Sequence, residues 1–266
     1  MSVGTSAVPR PLLGVRIVVT RAAEQADALT TLLRERGAEP IELPVIRIVP
    51  PEDTGPLDAA LVGAAGYDWL VFTSVNGVDA ALARLEDMGR RPVILRGPRI
   101  AAIGPATAGR LRDAGLEPAF VPDRFIAEEV LAGLIERGVR GCRVLLARAE
   151  RARDLLPDGL REAGAEVDVV VAYRTLPGEP SPDALARVRA GAVDVVTLTS
   201  SSTVRNLASL LGDTLPAIAR ARVVCIGPVT ADTARELGLR VDAVAEDYSI
   251  PGLVDAIVHL VQRSCP

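Results

Sequence analysis

The sequence predicts an α/β protein built from doubly wound parallel sheets. Short apolar runs alternate with stretches of helical spacing along the 266 residues, as expected for strands covered by helices on both faces. Similar segments also recur in the same order in the two halves of the chain, which indicates a repeated unit. Only 3% of the residues are aromatic, so the core must be aliphatic, and this disfavours an aromatic-rich β-sandwich.

The internal repeat consists of three ordered pairs of segments. Each segment begins with an apolar run, continues through a short polar turn and ends in a stretch of helical spacing. We therefore predict two similar α/β units. The paired segments are 14–25 with 141–152, 67–85 with 193–211, and 99–118 with 222–241.

Each segment is predicted to form a strand, a tight turn and a helix. The strands are continuously apolar, as in WLVF at 69–72, because both faces of a central parallel strand are buried. The helices place leucines three and four residues apart, as at Leu29, Leu32 and Leu33. Glycines stand where these helices should end, namely Gly37, Gly115, Gly164 and Gly238.

Two extended segments of another kind lie between these blocks. IELPVIRIVP at 41–50 and VDVVVAYRTLP at 167–177 end in proline and are not followed at once by a helix. They are either ordinary edge strands or a pair of strands that connects two similar domains. The residues alone leave both interpretations open.

Composition excludes several classes of chemistry. All 30 basic residues are Arg, so neither a Schiff-base lysine nor a phosphate-binding Walker lysine is present. The single His259 rules out a multi-histidine metal site. Cys142, Cys225 and Cys265 show no CxxC spacing, which favours buried thiols in a reducing compartment. We expect no metal and no cofactor.

Charge and hydropathy indicate a protein without nucleic-acid or membrane partners. The formal charge is −4 and the pI is about 5.3, which argues against a broad DNA-binding surface. No apolar run approaches the length of a membrane-spanning helix. The first residues, MSVGTSAVPRPLL, lack the pattern of a signal peptide, so we expect a cytoplasmic protein.

Candidate binding residues follow the predicted strands. In parallel α/β sheets, ligands bind beyond the carboxyl ends of the strands, and hydrogen-bond donors at helix N-termini suit a ligand with several carboxylates. None of these loops carries a GxGxxG motif or a catalytic triad. The candidates are Arg21, Thr73, Ser74, Asn76, Gly104, Thr107, Arg148, Ser200, Ser201, Ser202, Gly227 and Thr230.

Each candidate also has a purely structural interpretation. The hydroxyl residues could act only as helix caps. Arg21 and Arg148 could pair with the neighbouring Glu24 and Glu150 on a solvated face, an interaction of little energetic weight. For any one residue the structural interpretation is favoured. Two equivalent sets of donor loops together favour ligand binding.

A series of short motifs runs through nearly the whole chain. None is specific alone, and the signal lies in their order and spacing. They are VVTR at 18–21, VFTSVNGV at 71–78, AIGPATA at 102–108, LLARAERARDLL at 145–156, AYRT at 172–175, TLTSSSTV at 197–204, IGPVTADTA at 226–234 and DYSIPGLVDAI at 247–257. From Gly14 to Val261 the sequence resembles the uroporphyrinogen-III synthase family.

This resemblance implies a fold of two flavodoxin-like domains joined by a two-stranded β-ladder. The implied first domain is discontinuous and comprises 1–40 and 178–266, and the second spans 51–166. The connecting β-ladder would be formed by 41–50 and 167–177. The two proline-ended segments are compatible with such a ladder.

The resemblance also implies a reaction. Family members dehydrate hydroxymethylbilane and cyclise it to uroporphyrinogen III with inversion of ring D, through a delocalised azafulvene-type cation. Neither a metal nor a redox cofactor takes part. The implied site is the inter-domain cleft and the implied ligand a linear tetrapyrrole. We expect a monomer that makes transient contact with hydroxymethylbilane synthase.

Site residues carry over from the family by position. Tyr173 matches a tyrosine regarded as the proton donor to the departing hydroxyl. Arg21, Arg148 and Arg153 match basic positions that meet carboxylates, and Thr107, Ser200 and Thr230 match cleft hydroxyls. The chain departs from the family pattern in carrying Ser201 in place of a proline and Ala149 in place of a glycine.

Two alternatives of another class remain. One is a tetrapyrrole-binding or other small-ligand-binding module on the same scaffold that does not turn over its ligand. The other is a two-domain binding protein of the periplasmic type, which the lack of a signal-peptide pattern opposes.

Overall fold

The computed structural model describes residues 10–263, so the predicted buried thiol of Cys265 lies outside the described residues. Strands and helices alternate along the chain. The strands are β1 Arg16–Val19, β2 Glu39–Glu42, β3 Ile46–Val49, β4 Trp69–Phe72, β5 Arg99–Ala102, β6 Arg143–Ala149, β7 Glu166–Pro177, β8 Val195–Leu198, β9 Arg222–Cys225 and β10 Val241–Val244. The α-helices are α1 Asp27–Glu35, α2 Gly55–Val62, α3 Val75–Asp87, α4 Pro105–Asp113, α5 Ala127–Glu136, α6 Leu155–Glu162, α7 Pro182–Arg189, α8 Ser201–Leu211, α9 Pro228–Glu236 and α10 Ile250–Gln262.

The chain divides into two compact units. The first comprises the chain up to Arg47 together with the chain from Leu176 onward, and the second runs from Ile48 to Thr175. The chain therefore passes from one unit to the other within β3 and returns within β7. Each unit contains one five-stranded sheet.

The sheet of the first unit has the strand order β10-β9-β8-β1-β2. Its neighbouring strands all pair in parallel. Strand β2 lies at an edge, which accommodates Pro40, because a proline has no N–H to offer a second neighbour. Helices α1 and α10 cover one face through Leu29, Leu33, Leu253 and Ile257, all fully buried.

The sheet of the second unit has the order β3-β7-β6-β4-β5. Strand β4 pairs in parallel with β5 and β6, and β6 pairs in parallel with β7. All of β4 is buried, because Leu70 and Phe72 pack on one face of the sheet while Trp69 and Val71 pack on the other. The predicted α/β class with parallel sheets is thereby confirmed, and the continuously apolar strands have their expected cause.

Two buried threonines join β1 to β8 in addition to the backbone ladder. Thr20 Oγ1 donates to the carbonyl of Thr197 at 2.7 Å, and Thr197 Oγ1 donates to the carbonyl of Val18 at 2.8 Å. Both threonines are fully buried. Each hydroxyl therefore meets the requirement that a buried donor be satisfied, and it does so without interrupting the sheet.

The two proline-ended segments differ in structure. Residues 41–50 contain the end of β2 and the whole of β3, which belong to different sheets. Backbone hydrogen bonds to the β1 side continue past β2 through the N–H groups of Leu43 and Val45, and β3 then belongs to the other sheet. Residues 167–177 lie within β7, a single strand of 12 residues.

The predicted helix-terminating glycines are confirmed. Gly37, Gly115, Gly164 and Gly238 all have positive φ and follow the ends of α1, α4, α6 and α9. A residue with a Cβ atom is strained in this conformation, which explains the recurrence of glycine there. Within residues 10–263, no helix is long and apolar enough to cross a membrane.

The close contact between Gly133 of α5 and the ring of Phe120 can be tested by substitution. A Cβ atom built on Gly133 would overlap Cζ of Phe120. The buried ring of Phe120 lies beneath the Arg137 guanidinium, 3.9 Å from its centroid, so it must be displaced. We expect Gly133→Ala to lower the free energy of unfolding by about 1–3 kcal/mol through overpacking, as measured by urea denaturation.

Gly109 provides the matched control. It lies inside α4, and a Cβ atom built there meets nothing within 4 Å. Gly109→Ala should therefore raise the free energy of unfolding by roughly 0.5–1 kcal/mol, because alanine loses less backbone entropy. Stabilisation by both substitutions would show that the close approach of Gly133 to Phe120 is wrong.

Candidate functional site

The predicted site residues of the second unit lie at the carboxyl ends of its parallel strands. Thr73 and Ser74 follow β4, Gly104 follows β5, and Arg148 lies near the end of β6. Tyr173 lies on the neighbouring β7, where it is the register partner of Ala149. Because β7, β6, β4 and β5 are adjacent in this order, the sheet brings these residues to one edge.

The phenol of Tyr173 is held by residues from the β4–α3 loop. Its oxygen lies 3.0 Å from Ser74 Oγ, and it also forms a hydrogen bond with the side chain of Asn76. Ser74 is the N-cap of α3, where its Oγ accepts from the N–H of Gly77 at 3.1 Å. The cap therefore fixes the hydroxyl that contacts the phenol, and the structural and functional interpretations of Ser74 are compatible.

Burial controls the acidity of Tyr173. The residue is only 8% exposed, and this desolvation raises the pKa of its phenol above the usual value. The hydrogen bonds from Ser74 and Asn76 act in the opposite direction and lower that pKa, as donation to the phenol oxygen does. Burial is the larger effect, so Tyr173 is a neutral phenol at physiological pH.

Arg148, near the end of β6, and Arg153, in the β6–α6 loop, both have protein partners. Arg148 donates to the carbonyl of Arg153 at 2.9 Å and forms an ion pair with Asp154 at 2.5 Å. Its predicted alternative partner, Glu150, is not the one that it pairs with. Arg153 pairs with Glu128 at 3.1 Å on an exposed surface. Neither guanidinium is therefore an uncommitted positive charge.

Helix α4 begins at the same edge with Gly104 as its N-cap and Pro105 in the first turn. No side chain caps this helix, so the N–H groups of Ala106 and Thr107 have no acceptor within the helix. Thr107 is 3% exposed and lies in the same turn. This helix start offers hydrogen-bond donors and a positive dipole end.

In the first unit, Arg21 follows β1. Its Nε donates to the carbonyl of Gln25 at 3.0 Å, and its side chain also approaches Gln25 Oε1 at 3.5 Å. Among residues 10–263 no carboxylate forms an ion pair with Arg21, and Glu24 is not its partner. Burial lowers the pKa of Arg21 because the charge is desolvated. A half-buried cation without a carboxylate partner favours an anionic ligand.

The β8–α8 loop supplies a cluster of three serines. Ser200 is the N-cap of α8 in a capping box with Thr203, and its Oγ lies 2.8 Å from Ser202 Oγ. Ser201, which stands in the place of the family's proline, forms a hydrogen bond with Thr233 Oγ1 at 2.7 Å. Ser201 thus joins α8 to α9.

Helix α9 repeats the features of α4. Gly227 is its N-cap, Pro228 lies in the first turn, and no side chain caps the helix. Thr230 occupies the position of Thr107 and is 5% exposed. The serine-capped α3 of the second unit thus corresponds to α8 of the first, and the uncapped Gly-Pro start of α4 corresponds to that of α9.

Two aromatic side chains lie at these Gly-Pro turns, although the loop motifs alone do not single them out. The ring of Phe125 lies against Gly104, and the ring of Tyr248 lies against Gly227. The signal that could have found them is spacing, because Phe125 follows Gly104 at the interval at which Tyr248 follows Gly227.

The part of the chain that the structure describes contains no cluster of His, Cys, Asp and Glu side chains suited to hold a metal ion. What the two sets of loops provide is a neutral phenol, a half-buried guanidinium and uncapped helix starts. These groups can donate a proton and bind carboxylates.

The acidity of Tyr173 can be measured directly. Because burial raises its pKa, the folded protein should keep the Tyr173 proton at pH values where the unfolded chain, with a tyrosine pKa of about 10, has lost it. The protonated Tyr173 therefore contributes to the stability of the folded state below about pH 10. This contribution is lost as the pH rises through the pKa of Tyr173 in the folded protein. We expect the wild type minus Tyr173→Phe difference in phenolate absorbance at 295 nm to stay flat up to about pH 10.

The Tyr67→Phe variant serves as a reference for this titration. The Tyr67 hydroxyl donates to Asp168 at 2.7 Å, and burial and this carboxylate raise its pKa to about 12. Its difference titration shows how a strongly shifted tyrosine of this fold appears. A Tyr173 phenolate signal below pH 10 would show that burial does not control its acidity.

Comparison with known proteins identifies the family of this chain. The family model described as uroporphyrinogen-III synthase HemD matches residues 27–255. The chain is 35% identical to a uroporphyrinogen-III synthase of Synechococcus elongatus over 96% of this chain and 98% of that protein. It is 32% identical to the porphyrin biosynthesis protein HemD of Ruminiclostridium josui, covering 94% of this chain and 49% of that protein.

A solved structure shares the fold. A mutant uroporphyrinogen III synthase from the extremely thermophilic bacterium Thermus thermophilus superimposes with a TM-score of 0.66 at 22% sequence identity. The match covers 94% of this chain and all of that one. Taken with the sequence relatives, these findings show that the chain belongs to the uroporphyrinogen-III synthase family.

Proposed function

We propose that this chain catalyses the dehydration and cyclisation of hydroxymethylbilane to uroporphyrinogen III with inversion of ring D. The observation that carries the proposal is the buried phenol of Tyr173, held by Ser74 and Asn76 at the edge where the loops of the second unit lie. Family membership supplies the reaction, and the phenol supplies a proton for its first step.

Tyr173 acts first as an acid. A hydroxide ion is a poor leaving group, and a proton from the phenol lets it depart as water. In this mechanism Ser74 and Asn76 donate to the phenol oxygen, with which both form hydrogen bonds, and the phenol hydrogen is left for the departing hydroxyl. The phenolate that remains is stabilised by these donors and by the positive charge of the azafulvene-type cation.

The proton returns at the end of the reaction. The substituted carbon of ring D attacks the cation, and the resulting spiro intermediate reopens and closes at the other α-carbon of ring D. That carbon must then lose its proton to restore the aromatic pyrrole. A buried phenolate with a raised pKa is a base suited to accept it. One water leaves, and Tyr173 ends as it began.

Arg21 and the Gly-Pro helix starts bind the carboxylates of the substrate. Arg21 lacks a carboxylate partner among the described residues, whereas Arg148 and Arg153 already have Asp154 and Glu128. We therefore assign Arg21 the larger share of binding. Arg148 and Arg153 keep a supporting role through the position of the β6–α6 loop.

The finer architecture follows from the family resemblance. We propose two flavodoxin-like domains, 1–40 with 178–266 and 51–166, joined by a ladder formed from 41–50 and 167–177. The order β2-β1-β8-β9-β10, which is 2-1-3-4-5 within the first unit, supports the flavodoxin-like assignment. Binding in a cleft between the domains, a monomeric state, a cytoplasmic location and transient contact with hydroxymethylbilane synthase are part of the same proposal.

The function can be tested with freshly prepared hydroxymethylbilane, with a chelator present throughout. We expect the wild type to form the type III isomer, whereas the substrate alone closes to type I. Tyr173→Phe should slow turnover by up to about 10²–10⁴-fold, the usual contribution of a positioned acid, and the product should remain mainly type III. Chromatography of the oxidised porphyrins separates the isomers.

Tyr67→Phe is the matched control, because it also removes one phenol hydroxyl with its hydrogen bond but lies before β4, at the opposite end of the strand from Ser74. It should keep the wild-type rate. Tight binding of the bilane by the wild type without type III product would instead identify a non-catalytic binding module. A fully active, folded Tyr173→Phe protein would remove Tyr173 from the mechanism.

Arg21→Gln tests the binding assignment. A charge-assisted hydrogen bond to a carboxylate contributes about 1.5–3 kcal/mol, which corresponds to roughly a 10- to 100-fold rise in KM. The turnover number should change much less, because the carboxylates do not react. Steady-state kinetics measure both constants.

Arg235→Gln is the control in the same unit. Arg235 is exposed and pairs with Asp232 one turn away on α9, so its loss should leave KM unchanged. If Arg21→Gln and Arg235→Gln give the same KM as the wild type, Arg21 does not bind the substrate.

A further inference from the structure

The aromatic residues divide into two groups by exposure. Tyr67, Trp69, Phe72, Phe120 and Tyr173 are all buried. Phe125 is half-buried, and Tyr248 is 38% exposed. In a chain with few aromatics, the two that keep an accessible face are those at the Gly-Pro turns.

Each ring packs closely against a glycine, where a larger residue would place a side chain. A Cβ atom built on Gly104 would lie 3.0 Å from Cγ of Phe125, and one built on Gly227 would lie 3.6 Å from Cγ of Tyr248. The backbone at both glycines is extended, with φ near ±180°, so the glycines are not needed for their conformation. At Gly104 the closeness of the ring gives a reason for glycine, since a side chain there would displace Phe125.

The two rings are also placed by equivalent elements. Phe125 lies just before α5, and Tyr248 lies just before α10. At Tyr248 the position is fixed further, because Ser249 caps α10 through the N–H of Gly252 and donates to Asp247 Oδ2 at 2.6 Å. The Asp247 carbonyl occupies the place that a Cβ atom on Gly252 would take, so only glycine permits this turn.

Each ring therefore lies beside an uncapped helix start. The N–H groups of α4 and α9 that have no acceptor within the helix lie one and two residues beyond the prolines, and Thr107 and Thr230 lie in the same turns. A pyrrole that carries a carboxylate side chain has complementary parts. Its flat ring can stack on the aromatic face while its carboxylate accepts from the helix N–H groups.

We propose that Phe125 and Tyr248 each stack against one pyrrole ring of the linear tetrapyrrole, with a carboxylate of that pyrrole at the adjacent helix start. This assignment rests on the proposed function. Electron-rich faces beside the substrate also stabilise the azafulvene-type cation. The same arrangement in both units matches a substrate that is itself built from repeated pyrroles.

The test replaces each ring while keeping its apolar bulk. Tyr248→Leu and Phe125→Leu should each weaken binding of uroporphyrinogen III, measured anaerobically by calorimetry, by roughly 3- to 10-fold. Tyr248→Phe keeps the ring and should bind as the wild type does. The double leucine variant should bind more weakly than either single variant.

Leu237→Ala is the matched control. Leu237 is 40% exposed at the end of α9, so it tests the loss of a similarly exposed apolar side chain on the helix that Gly227 begins. It should leave the affinity unchanged. Thermal denaturation of every variant separates a loss of stacking from a loss of fold.

The outcomes distinguish this proposal from the proposed function. If the wild type forms type III product but both leucine variants bind uroporphyrinogen III as tightly as it does, the rings only cover the glycines and the stacking proposal is wrong. If the leucine variants lower the melting temperature and leave the affinity unchanged, the same conclusion holds. If the wild type forms no type III product, the proposed function itself fails.

Discussion

The burial of each parallel sheet by helices on both faces is the constraint on which the rest of the structure depends. Strands such as β4 are apolar on both sides, so reactive side chains cannot project from their middles. Parallel pairing places all carboxyl ends of a sheet at one edge. The polar side chains that can bind a ligand therefore lie in the loops at that edge. The uncapped helix starts and the half-buried Arg21 follow strand ends, and Tyr173, which lies within the longer β7, stands beside the last residue of β6.

Tyr173 is balanced between two opposing effects of this architecture. Its position on β7 buries the phenol and raises its pKa, while the donors of the β4–α3 loop lower it again. Burial disfavours the phenolate and the hydrogen bonds favour it, and burial is the larger effect. Ser74 can be both a cap and a donor because its oxygen accepts from Gly77 while its own hydrogen remains available.

Local patterns predicted the strands, the helix ends and the loops, because each depends on residues close together in the chain. The partners of the arginines depend on loop geometry instead. Arg148 reaches Asp154 and Arg21 reaches Gln25, although a glutamate lies nearer in sequence in both cases. The split of 41–50 into β2 and β3 depends on which sheet each strand joins, and a local pattern of apolar residues does not reveal that. The contact of Tyr248 with Gly227 joins two loops, and only the folded chain brings it about.

The duplication separates binding from chemistry. Both units keep an uncapped Gly-Pro helix start with an aromatic ring beside it, so features suited to binding a carboxylated pyrrole occur twice. The phenol of Tyr173 has no counterpart at the equivalent position of the first unit. The repeat that pairs Arg174 with Arg47 places Ile46 where the second unit has Tyr173, and in the first unit Ser200 contacts Ser202 instead of a tyrosine. A substrate with several equivalent carboxylates needs repeated binding groups, whereas the single hydroxyl that leaves needs one acid.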